Sequence, residues 1–380
     1  MALEQTPWVF RPRVLQNSGS IKDEGDDVIK LVLFHPAGTG ATIYNGWMDS
    51  LDKAFQESVL KNEYTVQVHP IELPGRGMRR KESLMMTMQD VVQGATDAIM
   101  DVVIGPMATP EESPKKTRVV LLGHSLGGWI AFEVAREIQH RCDCLLCLIV
   151  SAIRSPTLAG VEHDIDATAM HQLDEDEFWE VMERRYGKNP DLEHPSIRSF
   201  MYPILQADFT ISETYAGGEP IMGVPLFVSG GTSDVRYTED MLTAWSSCTT
   251  SEIFQVRMFH GGHSYLFPTK DADCQHYIFV LDCITRALEQ ENQQHQEENK
   301  QEEEGKKQQQ EEEEEERKHD GVGKSDEESS TMCHPPGTTT MSLSSVSRAA
   351  SSVMTPRHDE DEGMETKTRH CPSSVGCNMI

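Results

Sequence analysis

The chain predicts an α/β fold, a mostly parallel sheet with helices on both faces. Apolar strand-like runs alternate with helix-patterned stretches through residues 1–288, the order that builds such sheets. A glycine-bounded pentapeptide, Gly123-His-Ser-Leu-Gly127, stands between one of those runs and a helix-like stretch. The pattern stops at Glu289, so of 380 residues only the first 288 look able to bury a core.

Strands are expected at 30–34, 65–71, 119–122, 145–150, 226–228 and 253–259, and helices near 42–58, 87–104, 126–140, 238–246 and 272–288. From 289 the chain turns to Glu and Gln, including six glutamates at 311–316, then to Ser, Thr, Gly and Pro. Its isolated apolar residues, such as Val322, form no periodic face, which predicts a disordered acidic tail over 289–380. The tail holds 22 of the 62 acidic and 10 of the 34 basic residues, so both portions are acidic and a nucleic-acid backbone is excluded as a partner.

The context of the pentapeptide marks a nucleophile elbow. Glycines two residues either side of Ser125 let a strand turn sharply into a helix, with the hydroxyl exposed above the sheet. A serine needs a base and an acid further along, in the order Ser, Asp, His. His263, in Phe259-His-Gly-Gly-His263, follows the last predicted strand on a glycine turn, whereas His260 reads as a packed or solvent-facing residue. The acid belongs at the end of the preceding strand, where Asp234 follows Pro225-Leu-Phe-Val-Ser-Gly-Gly231. Asp240 falls in the first turn of a predicted helix after Thr238, and Asp208 in the pattern Leu205-Gln-Ala-Asp-Phe209, so neither is assigned to the triad.

The second oxyanion donor is expected in the loop after the first core strand, near Ala37 in Leu31-Val-Leu-Phe-His-Pro-Ala-Gly-Thr-Gly40, with the amide of Leu126 as the first. That loop lacks the third glycine of a dinucleotide site and the Gly-Lys-Ser/Thr of a phosphate loop. Residues 153–222, about seventy between the fourth and fifth strands, are too long for one crossover helix and are expected to form a helical lid. Its aromatic, Met and Leu residues fit both a core of its own and the lining of an acyl channel.

Five segments carry a family resemblance: His35-Pro-Ala-Gly-Thr-Gly-Ala-Thr-Ile-Tyr-Asn-Gly-Trp47, Leu73-Pro-Gly-Arg-Gly77, Gly123-His-Ser-Leu-Gly-Gly128, Ile204-Leu-Gln-Ala-Asp-Phe209 and Gly261-Gly-His263. Over roughly residues 8–288 the chain resembles the type II thioesterases, stand-alone α/β-hydrolases that serve fatty-acid, polyketide and nonribosomal-peptide synthases. The resemblance implies Ser125 as nucleophile, His263 as base, Asp234 as its orienter, Ala37 and Leu126 as oxyanion donors and Arg76 at the base of the site, binding substrate. It implies acyl substrates borne by the phosphopantetheine of a carrier protein or synthase; a monomer is expected, and no cofactor, since a thioester needs less help with its leaving group than an amide. One departure stands in the first loop, where the family's Phe-Pro-Tyr-Ala-Gly-Gly is replaced by Phe34-His-Pro-Ala-Gly-Thr39. A soluble carboxylesterase or lipase is the alternative within hydrolases, and a non-catalytic binding module the alternative outside them.

Cys142, Cys144 and Cys147 are spaced C-x-C-x-x-C across a helix end and a strand, which favours buried thiols over a metal site. No secretory signal or membrane-spanning run is visible, and with free thiols this predicts the cytoplasm. Cys377 stands fourth from the end, but Asn378 fits a prenylation signal poorly.

Overall fold

The computed structural model describes residues 7–15, 27–105, 117–267 and 275–321. Among these described residues seven strands form one sheet: β1 (Arg13–Leu15), β2 (Val28–Phe34), β3 (Thr65–Pro70), β4 (Thr117–His124), β5 (Leu145–Ser151), β6 (Leu226–Gly231) and β7 (Phe254–Phe259). Their spatial order is β1-β3-β2-β4-β5-β6-β7. Only β1 runs antiparallel, against β3. The helices are α1 (Tyr44–Glu57), α2 (Met88–Ala98), α3 (Leu126–Arg141), α4 (Glu175–Tyr186), α5 (Pro195–Thr214), α6 (Glu239–Thr243) and α7 (His276–Gly321). The sheet, the crossovers and the elbow constitute an α/β-hydrolase fold.

Two hydrophobic layers sandwich the sheet. One gathers α2 and α3 through Val91, Ala95, Trp129, Phe132 and Ile138, and the other gathers α1 and the start of α7 through Trp47, Leu51, Phe55, Phe279 and Ile284. Chain order reverses between β2 and β4: β3 lies outside β2, and later strands extend from β4 in the other direction. Such a switch point opens a crevice at the carboxyl ends of the strands. The loops after β2, β4, β6 and β7 all emerge on this edge.

The segment between β5 and β6 holds α4, α5 and short 3-10 turns. Met170, Phe178, Trp179, Met182, Met201, Leu205 and Phe209 form a hydrophobic cluster of its own there. Helix α5 belongs to both bodies, since Met201 to Phe209 serve that cluster while Ile211 and the following Tyr215 enter the main core.

Two sequence expectations are corrected. Residues 289–321, expected to be disordered, continue α7, and side chains 292–312 of that extension are exposed. Glu, Gln and Lys are strong helix formers, and pairs four apart such as Glu302 and Lys306, 3.3 Å apart, support a helix with no apolar face. The remainder of the tail, 322–380 with Cys377, lies outside the described residues. Cys142 and Cys144 are half-buried and joined to each other by a disulfide, so among these three only Cys147 is a buried free thiol.

Candidate active site

Ser125 stands at the turn from β4 into α3 with φ +53° and ψ −128°, in left-handed space that a non-glycine residue occupies at a conformational cost. The two elbow glycines are dictated by crowding. A Cβ on Gly127 would meet the Phe34 carbonyl oxygen at 2.3 Å, and one on Gly123 the Gly127 carbonyl oxygen at 2.0 Å. The helix start is thereby pressed against the end of β2. The Ser125 amide donates to the Ser151 carbonyl at 2.8 Å, which ties the elbow to β5.

His263 is delivered by the turn after β7 and Asp234 by the loop after β6. The amides of Thr232 and Ser233 donate to the carbonyls of Phe259 and Gly261, both at 2.8 Å, so the two loops are joined by backbone bonds before their side chains meet. Asp234 Oδ2 lies 2.9 Å from His263 Nδ1, and His263 Nε2 lies 3.0 Å from Ser125 Oγ. The three residues expected from sequence thus form one hydrogen-bonded line, and His260 is exposed outside it. Burial alone would raise the Asp234 carboxyl. The hydrogen bond and charge attraction of His263, with the amides of Arg236 and Tyr237, outweigh that and hold it below the usual carboxylate range.

Behind the elbow runs a buried polar chain. His124 Nδ1 lies 2.8 Å from Ser151 Oγ, which lies 2.6 Å from the Tyr265 hydroxyl; that hydroxyl is 2.6 Å from Ser229 Oγ, itself 3.2 Å from His276 Nε2. Burial, followed by the neighbouring His263 and His276, pushes His124 well below the ordinary histidine range. It is neutral, with its ring centroid 5.4 Å from that of His263.

The loop after β2, residues 35–41, faces the elbow across the switch point. Thr39, where the related family has glycine, donates its hydroxyl to the Pro36 carbonyl at 2.8 Å and closes the turn with its side chain. Ala37 is half-buried there, and the Leu126 amide is the first of α3, where helix N–H groups have no intrahelical partner. The Gly38 amide donates to Asp208 Oδ2 at 2.7 Å. Asp208, fully buried on α5, also receives both terminal nitrogens of Arg76, at 2.7 and 2.8 Å. Arg76, expected to bind substrate, is instead committed to this carboxylate behind the loop at 4% exposure. Glu72 fills the space beside it: Oε1 accepts from the Ala41 amide at 3.2 Å, and a Cβ on Gly77 would meet Oε2 at 2.2 Å. That crowding accounts for the second glycine of Pro74-Gly-Arg-Gly77.

Asp208, expected only as part of the lid pattern, instead joins the lid helix to the loop after β2. A signal was present, because Asp208 falls four after Ile204 and three after Leu205 on an apolar stripe, and an acid there requires a buried cation or donors.

Among the described residues no helix is long and apolar enough to cross a membrane. Residues 29–278 match the family model of the thioesterase domain. The gramicidin S biosynthesis protein GrsT of Aneurinibacillus migulanus is 28% identical over 247 residues, 64% of this chain and 84% of that protein. The thioesterase TesA of Mycobacterium leprae is 29% identical over 252 residues, 66% and 85% of the two chains. Among solved structures, RedJ, a thioesterase of the prodiginine pathway in Streptomyces coelicolor, superposes with a TM-score of 0.54 at 25% identity, covering 70% of this chain and 96% of its own. YbtT, a type II thioesterase of the yersiniabactin pathway, shares the fold with a TM-score of 0.53 at 18% identity, covering 73% and 98%. The protein is an α/β-hydrolase in its architecture. The chain belongs to the thioesterase-domain family, with the type II thioesterases.

Proposed function

We propose that this thioesterase hydrolyses acyl groups held as thioesters on the phosphopantetheine arm of a carrier protein, releasing or clearing chains for a polyketide, nonribosomal-peptide or fatty-acid synthase. The single observation that carries the chemistry is the unbroken line from Asp234 through His263 to Ser125 at a strained elbow. In this reading Ser125 Oγ attacks the thioester carbonyl as His263 Nε2 takes its proton. The tetrahedral oxyanion lies between the amides of Ala37 and Leu126, at the positive end of α3. Collapse expels the thiol, which leaves with the proton held by His263. Water then attacks the acyl-serine, giving its proton to His263; the second collapse returns that proton to Ser125 and frees the acid. A thiol is a better leaving group than an amine, and the residues accomplish each step without an added cofactor. Asp234 keeps Nδ1 protonated, so that Nε2 faces the serine as an acceptor.

The pathway assignment rests on the relatives' own names, GrsT and YbtT among them, and on the resemblance of the motifs. The test is turnover of a panel of acyl-carrier and acyl-pantetheine thioesters of graded length beside matched oxygen esters. Preference for the carrier-borne thioester is the expected result, and equal or better turnover of oxygen esters would place the protein with the carboxylesterases instead.

A further inference from the structure

From the bonds that join α5 to the loop after β2, we infer that Asp208 is a positioning residue for the oxyanion hole, through which the seating of the lid sets the geometry of that loop. The inference rests on the thioesterase reading above and adds a residue and a form of control to it. Asp208 has two roles at once. Its Oδ2 accepts the Gly38 amide at 2.7 Å, one residue after the proposed donor Ala37, and both its oxygens hold Arg76. Arg76 in turn lies 3.4 Å from the Thr39 carbonyl, so the same pair reaches the loop a second time.

The carboxylate comes from outside the sheet. Asp208 lies 170 residues from Gly38 and 132 from Arg76, on the helix whose earlier turns pack in the lid cluster and whose later turns enter the main core. It sits at the joint between the two. A shift of α5 along its axis moves the acceptor of the Gly38 amide, and a loop carried off by a fraction of an ångström no longer presents its neighbour's N–H to the developing oxyanion. Burial magnifies this coupling: with Arg76 and Asp208 at 4% and 0% exposure, neither charge can take water as a substitute partner.

The experiment compares Asp208→Asn with the double variant Arg76→Met/Asp208→Leu, which removes both charges together and so avoids stranding one. Each is assayed for kcat, KM, melting temperature and inhibition by an acyl trifluoromethyl ketone, whose serine adduct places an oxyanion in the hole. The expected result is a folded double variant with kcat lowered about a hundredfold, the scale of losing one oxyanion donor, and KM within about threefold. The trifluoromethyl ketone constant should rise by the same factor as kcat/KM falls. Retention of kcat within threefold in either folded variant overturns the proposal. So does a rise in KM alone, which would make the pair part of the acyl site. Misfolding of both variants overturns it as well, since the pair would then determine the fold rather than the loop. A parent protein without thioester turnover would sink the proposed function, and the rate of fluorophosphonate labelling, which needs the same hole, would then carry the comparison.

Discussion

Two aspartates flank the candidate site, and they are held in opposite ways. Asp234 hangs from the sheet, on a loop bonded by its backbone to the histidine turn, and its partner is an imidazole that gains and loses a proton in each proposed step. Asp208 comes from the lid helix and faces the Arg76 guanidinium, which takes no part in the proposed proton transfers. The first arrangement responds to chemistry and the second to position. In the proposed mechanism this difference puts proton transfer on loops of the sheet, while the loop proposed to hold the oxyanion is shared with a segment that has a core of its own.

The sharpest way to break this contrast is at the nucleophile. Ser125→Ala should abolish labelling by a serine-directed fluorophosphonate and lower turnover at least a thousandfold with the fold intact. Equal labelling of parent and variant would remove Ser125 from the chemistry.

One step down, Asp234→Asn should lower kcat by at least about a hundredfold with little change in KM, because the orienter acts mainly in the transition state. Asp240→Asn should cost less than about tenfold, since Asp240 lies in the first turn of α6 behind its N-cap Thr238. Reversal of that order would mean that the triad is misassigned.

Acid acts on the whole fold through its buried neutral histidines: burial lowers His35 to about 4, and His69 and His276 to about 3, with His124 also well down. Their folded values lie below the unfolded value near 6.5, so they contribute stability above that pH, and it is lost as pH falls toward their folded values. The loss steepens as pH falls below the unfolded value, because the unfolded chain binds protons that the buried rings refuse. Denaturant melts at pH 7, 6 and 5 should show that decline, and a flat profile would contradict the burial of these rings. The smallest effect is expected from removing residues after 297, which should leave the melting temperature within about two degrees and turnover of a small thioester unchanged. The side chains lost from 298 to 312 are all exposed.

Much of this was legible in the sequence. The six predicted strands are present with ends within about three residues, because β2, β4, β5 and β6 read as apolar runs and the more exposed β3 and β7 still alternate. The hydrogen-bonded line of Ser125, His263 and Asp234 was legible because the order of such residues along the chain follows from where strands end. Strand β1 was missed, as three residues at an edge carry no periodicity. The extension of α7 was missed because periodicity reports packing, and a helix of Glu, Gln and Lys needs none. Asp208 was missed for a related reason: its partners, Gly38 and Arg76, are distant in sequence, and helical spacing shows only that a buried acid needs some partner.

The long separations in the site also set an order of events during synthesis. His263 follows Ser125 by 138 residues, which at typical translation rates is a delay of roughly seven to thirty seconds. Through that interval the proposed nucleophile has been made and its proposed base has not. In the proposed mechanism Ser125 therefore has no base through that interval, and competence for hydrolysis waits on synthesis of nearly the whole domain.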